Sequence, residues 1–577
     1  MAGFRSQLRP RSAGAIRRAG FPLSVAVLAL FLVAAAAQEK LVGKVQVVAV
    51  HGLDRDELTG NITAVRHEHQ IHLQLKGGEL RRLVFPNSVD EDSMPRSGSY
   101  VYVASRSMAD CTPDMAQQQS GAICVQSMMT HEAAPQDVYA KGQPRGNMFV
   151  KALLVQLDIC NNGIASPDWD AMEGAMWDGL PKSQERTVEG MFKGCSFDMA
   201  QVSKSVGGHM LRVPVPVPCS GTTPQGASYD SSQCPFNEWS DVAIDWIRSN
   251  VPDLNLDDYP HKIFIVMKGQ TCAWGGMGYV GCHDDCRVWI NGDLWDKPDT
   301  YFHEISHNLY CNHAGKWGNK GYEDMSGAMG YCCDIRCHNA PHSFQLGWAG
   351  PVKSLHSDNW PAGTWETHML PAAAVQPRNF IRIWPDWSTQ GAKSKIFLQQ
   401  RVGWDFELSH TGAFGDAIIV YSVPADDPQP YTSWEAGVAA GQQWRETRLG
   451  SGVVVRVPKI EGGQAEVRVC RVSAETETNC NDGLDDDCDG QIDAADSDCS
   501  GSSGGGGSSG GGGLGGQAPG GASGGDQSGG YPAGSAPGAG FGGGTGGGYP
   551  GGGGLGGAPG AGYPGGDGYS TYGSYFG

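Results

Sequence analysis

The chain has 577 residues with 61 acidic and 42 basic side chains, which gives a formal net charge of -19 at pH 7. This length is too great for one compact core, so several domains are expected, and the acidic balance argues against nucleic-acid binding, which requires a basic surface. Residues 501–577 hold 39 of the 86 glycines, so we predict a globular body followed by a disordered glycine-rich tail over residues 500–577.

The amino terminus predicts export. Residues 1–20 carry five arginines and no acid, and residues 21–37 form an almost uninterrupted apolar run that ends in four alanines. A basic start, a short apolar segment and small residues at its end predict a secretory signal peptide over residues 1–37. A signal anchor and a transit peptide are the alternatives, because the run is only slightly short for a span and the start is arginine-rich. No later stretch of the sequence is long and apolar enough to cross a membrane.

The 17 cysteines agree with export, because this density is typical of oxidised, secreted proteins. An odd count leaves at least one thiol without an intramolecular partner, and we predict that Cys311 is disulfide-bonded. Disulfides are also favoured over a zinc knuckle for the cluster formed by Cys332, Cys333, Cys337 and His338. The sequon at Asn61 predicts a glycoprotein.

The body begins with a segment of alternating apolar and polar residues. Residues 44–50, 71–75 and 100–103 have the period of two that is typical of half-buried strands. We therefore predict a β-rich domain over residues 38–147. Whether this domain is a removable propeptide stays open at this point.

Residues 148–350 mix strand and helix patterns, which predicts an α/β or α+β domain. The predicted strands are residues 153–157, 261–268 and 286–290, and the predicted helices are residues 239–249 and 300–309. Residues 351–474 return to short strands such as 395–398 and 452–457, and we predict a β-sandwich-like domain there.

The chemistry is concentrated in residues 303–313, which read HEISHNLYCNH. Positions four apart lie on one face of a helix, so His303 and His307 can bind one metal ion. Glu304 can then reach a water on that metal as a general base. His313 supplies a third ligand if the chain turns back after the helix, and three protein ligands with one open position are what a catalytic zinc requires.

This segment resembles the HExxHxxGxxH signature of the metzincins, which is followed by a methionine turn. Residues 322–331, which read YEDMSGAMGY, resemble that turn. Residues 272–282 (CAWGGMGYVGC) and 339–348 (NAPHSFQLGW) complete a resemblance to the gametolysin family of algal matrix metalloproteinases, which digest cell-wall and extracellular-matrix glycoproteins.

The resemblance covers residues 148–350 and implies a metzincin-like catalytic domain there. It implies that His303, His307 and His313 bind Zn²⁺ and that Met329 forms an apolar floor beneath them. It also suggests that Tyr331 stabilises the oxyanion, although a tyrosine packed in the core is an equally good interpretation. Trp274 and the two glycines after it are either the rim of a substrate cleft or packing residues. The chain has no cysteine-switch sequence of the matrix-metalloproteinase type.

The chain departs from the signature at one position, where Tyr310 stands in place of glycine. That glycine allows a left-handed turn at the end of the helix. A tyrosine there costs about 1 kcal/mol or more if the turn keeps a positive φ. Either the turn has another shape, or His313 is less well positioned.

Residues 485–496 predict a second metal site. Acids occupy positions 1, 3, 5, 9 and 12 of this segment and glycine occupies position 6, as in a twelve-residue calcium loop. The predicted Ca²⁺ ligands are Asp485, Asp487, Asp489, Asp493 and Asp496. Residues 475–499 therefore predict an Asp/Cys-rich calcium-binding motif, with a merely solvated acidic linker as the alternative.

Two functions from different classes follow from the sequence. The first is a secreted zinc metalloendopeptidase that acts on extracellular-matrix or cell-wall glycoproteins. The second is a non-catalytic matrix-binding protein that retains the metalloprotease fold. The presence of Glu304 favours the first, because a binding protein does not need a base beside the metal.

Overall fold

The computed structural model describes residues 40–501, except for residues 56–61, 86–94, 108–110, 112–121, 133–147, 162–168, 181–185, 271, 283–284, 317–320, 331–334, 403–414 and 428–429. The predicted signal peptide, the sequon at Asn61 and the glycine-rich tail lie outside the described residues.

The described part of the chain is rich in strands and has few helices. The strands of the first half are β1 (Lys40–Arg55), β2 (Ile62–Leu75), β3 (Leu80–Val84), β4 (Tyr100–Ser105), β5 (Ile123–Glu132), β6 (Met148–Phe149), β7 (Ala152–Ile159), β8 (Ala200–Gln201), β9 (His209–Val217), β10 (Ser220–Thr222), β11 (Ser228–Asp230), β12 (His261–Ile265), β13 (Trp274–Tyr279) and β14 (Cys286–Ile290). The strands of the second half are β15 (Ala314–Lys316), β16 (Gly350–Leu355), β17 (Trp365–Pro371), β18 (Arg378–Ile383), β19 (Ser394–Arg401), β20 (Ala417–Pro424), β21 (Thr432–Ala439), β22 (Gln442–Arg445), β23 (Val453–Glu461) and β24 (Gln464–Arg471). The α-helices are α1 (Trp169–Met176), α2 (Val188–Cys195), α3 (Phe236–Asn250), α4 (Pro298–Asn308) and α5 (Ala340–Gln345). The structure therefore mixes α and β elements, as predicted.

A ten-stranded sheet runs through the first half of the chain in the order β2-β3-β5-β4-β1-β13-β14-β12-β7-β9. The long strand β1 joins its two parts. One edge of β1 pairs with β2, and the other edge pairs first with β4 and then, antiparallel, with β13. The strand pairing is therefore continuous between the segment predicted as an N-terminal domain and the segment predicted as the catalytic domain.

The two faces of this sheet are covered by different helices. On one face, α4 packs through Phe302 and Ile305 into a core that also contains Phe192 of α2. On the other face, α3 packs through Trp239 and Ile247. The apolar residues of α3 recur at helical spacing, so one side of the helix is buried. The sheet thus holds α4, which carries the histidine motif, against β13 and β14.

The second half of the chain forms a β-sandwich. A six-stranded sheet has the order β15-β21-β20-β19-β18-β16, and a four-stranded sheet has the order β17-β24-β23-β22. Both sheets contribute to one apolar core, for example through Ile396 of the first and Val455 of the second. Strand β15 begins directly after His313 and pairs with β21, so the sandwich reaches the histidine motif across the boundary predicted at residue 350.

Seven disulfides lie within the described part of the chain. They are Cys111–Cys124, Cys160–Cys219, Cys195–Cys337, Cys234–Cys272, Cys282–Cys286, Cys470–Cys488 and Cys480–Cys499. The predicted disulfide of Cys311 is wrong, because its thiol is free and buried in the apolar core beneath α4. Among the described helices, none has both the length and the hydrophobicity needed to cross a bilayer.

Candidate metal centre

Helix α4 presents the first part of the site. Pro298 begins the helix, where its missing N–H costs nothing, and Asp299 in the first turn suits the helix dipole. The helix is buried over its whole length, and His303 and His307 lie one turn apart on it. This spacing directs both imidazoles to the same point, as the sequence predicts.

The turn after α4 keeps the left-handed conformation in spite of the tyrosine. Tyr310 has a φ of 71°, and its N–H donates to the carbonyl of His307 at 2.9 Å. Gln345 donates to the Tyr310 carbonyl at 2.8 Å, which holds the turn from outside the helix. A non-glycine residue in this conformation costs about 1–2 kcal/mol. The turn therefore keeps the expected shape, and His313 is brought back towards the helix.

The imidazoles converge in a buried cluster. The ligand nitrogens of His303, His307, His313 and a fourth histidine, His51, all lie within 4.8 Å of one another. The Nε2 atoms of His307 and His313 are 2.9 Å apart, and those of His307 and His51 are 3.4 Å apart. Two nitrogens at about 2.1 Å from one tetrahedral zinc are about 3.4 Å apart, so the cluster has the dimensions of a zinc site.

Backbone carbonyls orient two of these rings. Nδ1 of His303 donates to the Ala328 carbonyl at 2.6 Å, and Nδ1 of His307 donates to the Cys311 carbonyl at 2.9 Å. With Nδ1 protonated, each ring directs an Nε2 lone pair into the cluster. Nε2 of His303 is buried and has no hydrogen-bond partner among the described residues, as expected of an atom that binds a metal.

Burial also keeps these rings neutral. It lowers the pKa of His303 to about 4, and it lowers the pKa values of His307 and His313 well below the ordinary value, with neighbouring imidazoles adding to the effect. Neutral imidazole is the form that binds a metal. A buried set of imidazole nitrogens suits zinc among the divalent ions. The residues present therefore fit the metal that the motif implies.

Glu304 lies beside this cluster and is 1% exposed. Its Oε1 is 3.2 Å from Nε2 of His51, and its Oε2 is buried without a hydrogen-bond partner among the described residues. Burial raises the pKa of this carboxyl well above its ordinary value. A Cβ atom at Gly276 would lie 2.3 Å from Oε1 of Glu304, and one at Gly278 would lie 2.6 Å from the Glu304 carbonyl. The two glycines of β13 therefore make room for the glutamate.

Met329 and a tyrosine complete the surroundings of the cluster. Met329 is fully buried in the core on which α4 packs, and its neighbour Ala328 holds His303. Tyr331 lies outside the described residues, so its predicted role is not addressed by the structure. The hydroxyl of Tyr322 instead hydrogen-bonds to Nε2 of His313.

A buried polar network fixes the turn that contains Met329. The carboxylate of Asp324 accepts hydrogen bonds from the Ser326 backbone N–H and from the side chain of Asn339, both at 2.9 Å. Arg401, at the end of β19, donates to the carbonyl of Ser326 and, at 2.8 Å, to the carbonyl of His338. The sandwich thus supports the turn beneath the histidines.

Sequence reasoning missed three site residues, His51, His69 and Tyr322. His51 ends an apolar run in β1, and the ring of His69 on β2 stacks on that of His313 with centroids 4.9 Å apart. Both lie in alternating strand patterns that predict only a sheet. For His51 the one available signal is a histidine within an apolar strand pattern, since a buried histidine requires a partner.

The five predicted calcium ligands are divided between two groups in the structure. Carboxylate oxygens of Asp485, Asp487 and Asp489 lie within 4.8 Å of one another. Asp493 belongs to a second group, with Glu477 and Asp482. The fifth, Asp496, is 2% exposed, and its Oδ2 is buried without a hydrogen-bond partner among the described residues.

The comparisons with known proteins agree with the site. Residues 155–433 match the family model described as gametolysin peptidase M11. Over an alignment of 286 residues, the chain is 25% identical to an autolysin of Chlamydomonas reinhardtii. The alignment covers 41% of this chain and 45% of that protein. The chain therefore spans less than half the length of this relative. The family match extends beyond the predicted limit at residue 350 and includes part of the sandwich.

Proposed function

Residues 155–433 belong to the gametolysin peptidase M11 family, and from this membership and the site we propose that the protein is a zinc-dependent metalloendopeptidase. The observation that carries the proposal is the buried convergence of His303, His307 and His313 next to Glu304. The three imidazoles would hold the metal, and Glu304 would act as the general base.

The chain's own groups supply the proton transfers. Zinc, when bound, would polarise the scissile carbonyl and acidify a water. Glu304 would take a proton from the attacking water on a carboxylate oxygen and pass it to the departing amine. The Tyr322 hydroxyl, which lies against His313, is positioned to donate a hydrogen bond to the carbonyl oxygen as negative charge develops on it.

The substrates and the location are part of the same proposal. The predicted signal peptide and the seven disulfides support secretion. The resemblance to gametolysins supports extracellular-matrix or cell-wall glycoproteins as substrates. We propose that the protein acts there on peptide bonds, and we expect no nucleic acid among its partners.

A zymogram tests this proposal. We expect the secreted protein to clear a gel that contains cell-wall glycoprotein, to lose this activity in a zinc chelator, and to recover it when Zn²⁺ is added back. Because the N-terminal segment lies against the site, the protein is also tested after limited proteolysis. Binding to the glycoprotein without cleavage in any of these samples would favour the non-catalytic matrix protein.

We also propose that residues 475–499 bind Ca²⁺. Oxygen ligands are those that Ca²⁺ prefers, and Asp485, Asp487 and Asp489 offer three of them in one place. Glu477 and Asp487 have raised pKa values, because both are buried and lie among other carboxylates. A bound cation would relieve this repulsion, and the disulfides Cys470–Cys488 and Cys480–Cys499 hold the segment in place for it.

The calcium proposal predicts a stability increment that depends on the ion. With Ca²⁺ at about 100 times its Kd, binding should add about 2.7 kcal/mol to the free energy of unfolding of the sandwich and its acidic segment. Asp485→Ala combined with Asp489→Ala should remove this increment, and Asp257→Ala with Asp258→Ala, at an exposed site, should not. Thermal unfolding with Ca²⁺ and with chelator measures it. Equal melting temperatures in both would support the solvated linker.

A further inference from the structure

The fourth histidine of the cluster comes from outside the family-matched region. We propose that His51 is a fourth protein ligand of the metal and that β1 occupies the position of an extended substrate, so that the full-length chain is a closed, latent form. This inference rests on the proposed function of the site. It gives the N-terminal segment, which the sequence leaves unassigned, the role of an internal inhibitor.

The position of His51 is that of a ligand. Its side chain is buried, and its Nε2 is 3.4 Å from Nε2 of His307, the separation expected of two nitrogens on one zinc. The centroid of its ring is 4.5 Å from that of His303 and 5.3 Å from that of His313. The ligand nitrogens of all four histidines lie within 4.8 Å of one another, so His51 is a member of the cluster.

The pairing of β1 with β13 is irregular at His51. Val50 lies opposite Met277 and Gly52 lies opposite Trp274, so one residue of β1 faces two residues of β13. Those two residues are Gly275 and Gly276. The extra residue is therefore in β13, and a bulge locally disrupts the ladder and bends the strand that carries it. Here the irregularity lies directly opposite the residue that reaches the metal centre.

Strand β13 is the place where an extended peptide is expected to bind. Without β1, it would be the edge of the sheet formed by β13, β14, β12, β7 and β9, with unpaired backbone groups beside α4. Extended peptides bind such edges by adding a strand. β1 already does so, and its Val48 and Val50 are buried in the same apolar core as Met277.

Further contacts hold the N-terminal segment around the site. His69 on β2 stacks on His313 and hydrogen-bonds to the hydroxyl of Tyr431, 2.6 Å away. Arg96 forms an ion pair at 2.6 Å with Asp427 in the sandwich. The segment therefore contacts His313 and the sandwich as well as β13, so His51 is held near the cluster by more than the pairing of one strand.

The chemical consequence is closure. A catalytic zinc requires an open position for water or substrate, whereas four protein ligands make a closed site. His51 fills that position, and its Nε2 lies 3.2 Å from Oε1 of Glu304, so the base is also covered. Release of β1 would free the fourth position, Glu304 and the edge of β13 together.

Cobalt provides a test that does not depend on activity. In full-length protein loaded with Co²⁺, His51→Cys should place a thiolate on the metal and give a sulfur-to-cobalt charge-transfer band in the near ultraviolet. His72→Cys is the matched control, because His72 is a buried histidine on β2 that packs near Phe236, away from the cluster. A folded, cobalt-loaded His51→Cys protein without the band would overturn the proposal.

Metal affinity separates failure of this inference from failure of the proposed function. In competition with a chromogenic chelator, His51→Ala should weaken zinc binding by at least about tenfold in the full-length chain, and His303→Ala should weaken it further. If only His303→Ala weakens binding, the site stands and His51 is not a ligand. If neither does, the metal centre itself is wrong.

A third measurement uses the native His51, in case its variants do not fold. A recognition sequence for a site-specific protease is inserted between Glu132 and Met148, and the cobalt spectrum is recorded before cutting and after separation of the pieces. The spectrum should change from that of four nitrogen ligands to that of three with water. An unchanged spectrum after the N-terminal piece is removed would refute the closed form.

Discussion

Loss of the Glu304 carboxylate is expected to lower peptide hydrolysis by a factor of about 10² to 10⁴ while one metal ion stays bound. In Glu304→Gln the imidazoles of His303, His307 and His313 remain in place, but the amide cannot accept a proton. The side chain keeps its size and shape, and it lies against Gly276, where an added Cβ would be 2.3 Å from Oε1 of Glu304. The effect should fall on kcat, because the base acts in the transition state.

The measurement requires an open site. Glu304→Gln is therefore combined with the cleavable N-terminal segment, and hydrolysis of a quenched peptide is compared with metal content after release. Glu173→Gln serves as the control, since this glutamate of α1 is also buried but pairs with Lys204 and with Arg212 of β9, away from the cluster. Hydrolysis at the wild-type rate by the Glu304 variant would show that another group is the base.

The largest expected effect on stability comes from Arg401. Its guanidinium is fully buried and donates to the carbonyls of Ser326, Cys337 and His338. Arg401→Met fills most of the space but removes three hydrogen bonds donated by a charged group, and a hydrogen bond of this kind contributes about 1.5–3 kcal/mol. The carbonyls of Cys337 and His338 keep one donor each, the Ala328 N–H and the Ser343 hydroxyl, so the loss is smaller than the sum of the three. We expect the free energy of unfolding to fall by about 3–5 kcal/mol, measured by denaturant titration.

An exposed arginine gives the matched comparison. Arg468 on β24 pairs with Glu466 at 2.7 Å, and about half of its side chain is exposed. Arg468→Met should change the free energy of unfolding by no more than about 1 kcal/mol, as is usual for a surface ion pair. Similar losses for the two variants would mean that Arg401 does not support the turn around Met329.

Local patterns predicted the elements well where one face is buried. The alternation at residues 44–50 and the helical spacing at residues 239–249 correspond to β1 and α3, because burial imposes these periods. Helix α4 and the approach of His303 to His307 follow from spacing alone. The position of His313 could not be predicted from spacing, because it depends on Tyr310 adopting a left-handed conformation that glycine would favour.

Contacts between distant segments could not be predicted in this way. His51 and His303 are separated by more than half of the described chain, and nothing in the pattern of β1 indicates which strand it pairs with. The same is true of Asp493, which the linear spacing assigns to one calcium loop but the fold brings to Glu477 and Asp482. Cys311 was wrongly predicted to form a disulfide, because its neighbours in sequence gave no sign that the fold would bury its thiol.

The cysteine pairing sets how the N-terminal segment could leave. Its two cysteines, Cys111 and Cys124, are bonded to each other, so no disulfide ties it to the rest of the protein. While the chain is intact, the tether keeps β1 at an effective concentration of the order of millimolar, whatever the dilution of the protein. After a single cut, β1 is no longer tethered, and it competes with substrate only at the concentration of the free N-terminal piece, which dilution lowers. Activation would then depend on protein concentration. It would be slow to complete where the cut protein is concentrated, and rapid once the cut protein is diluted.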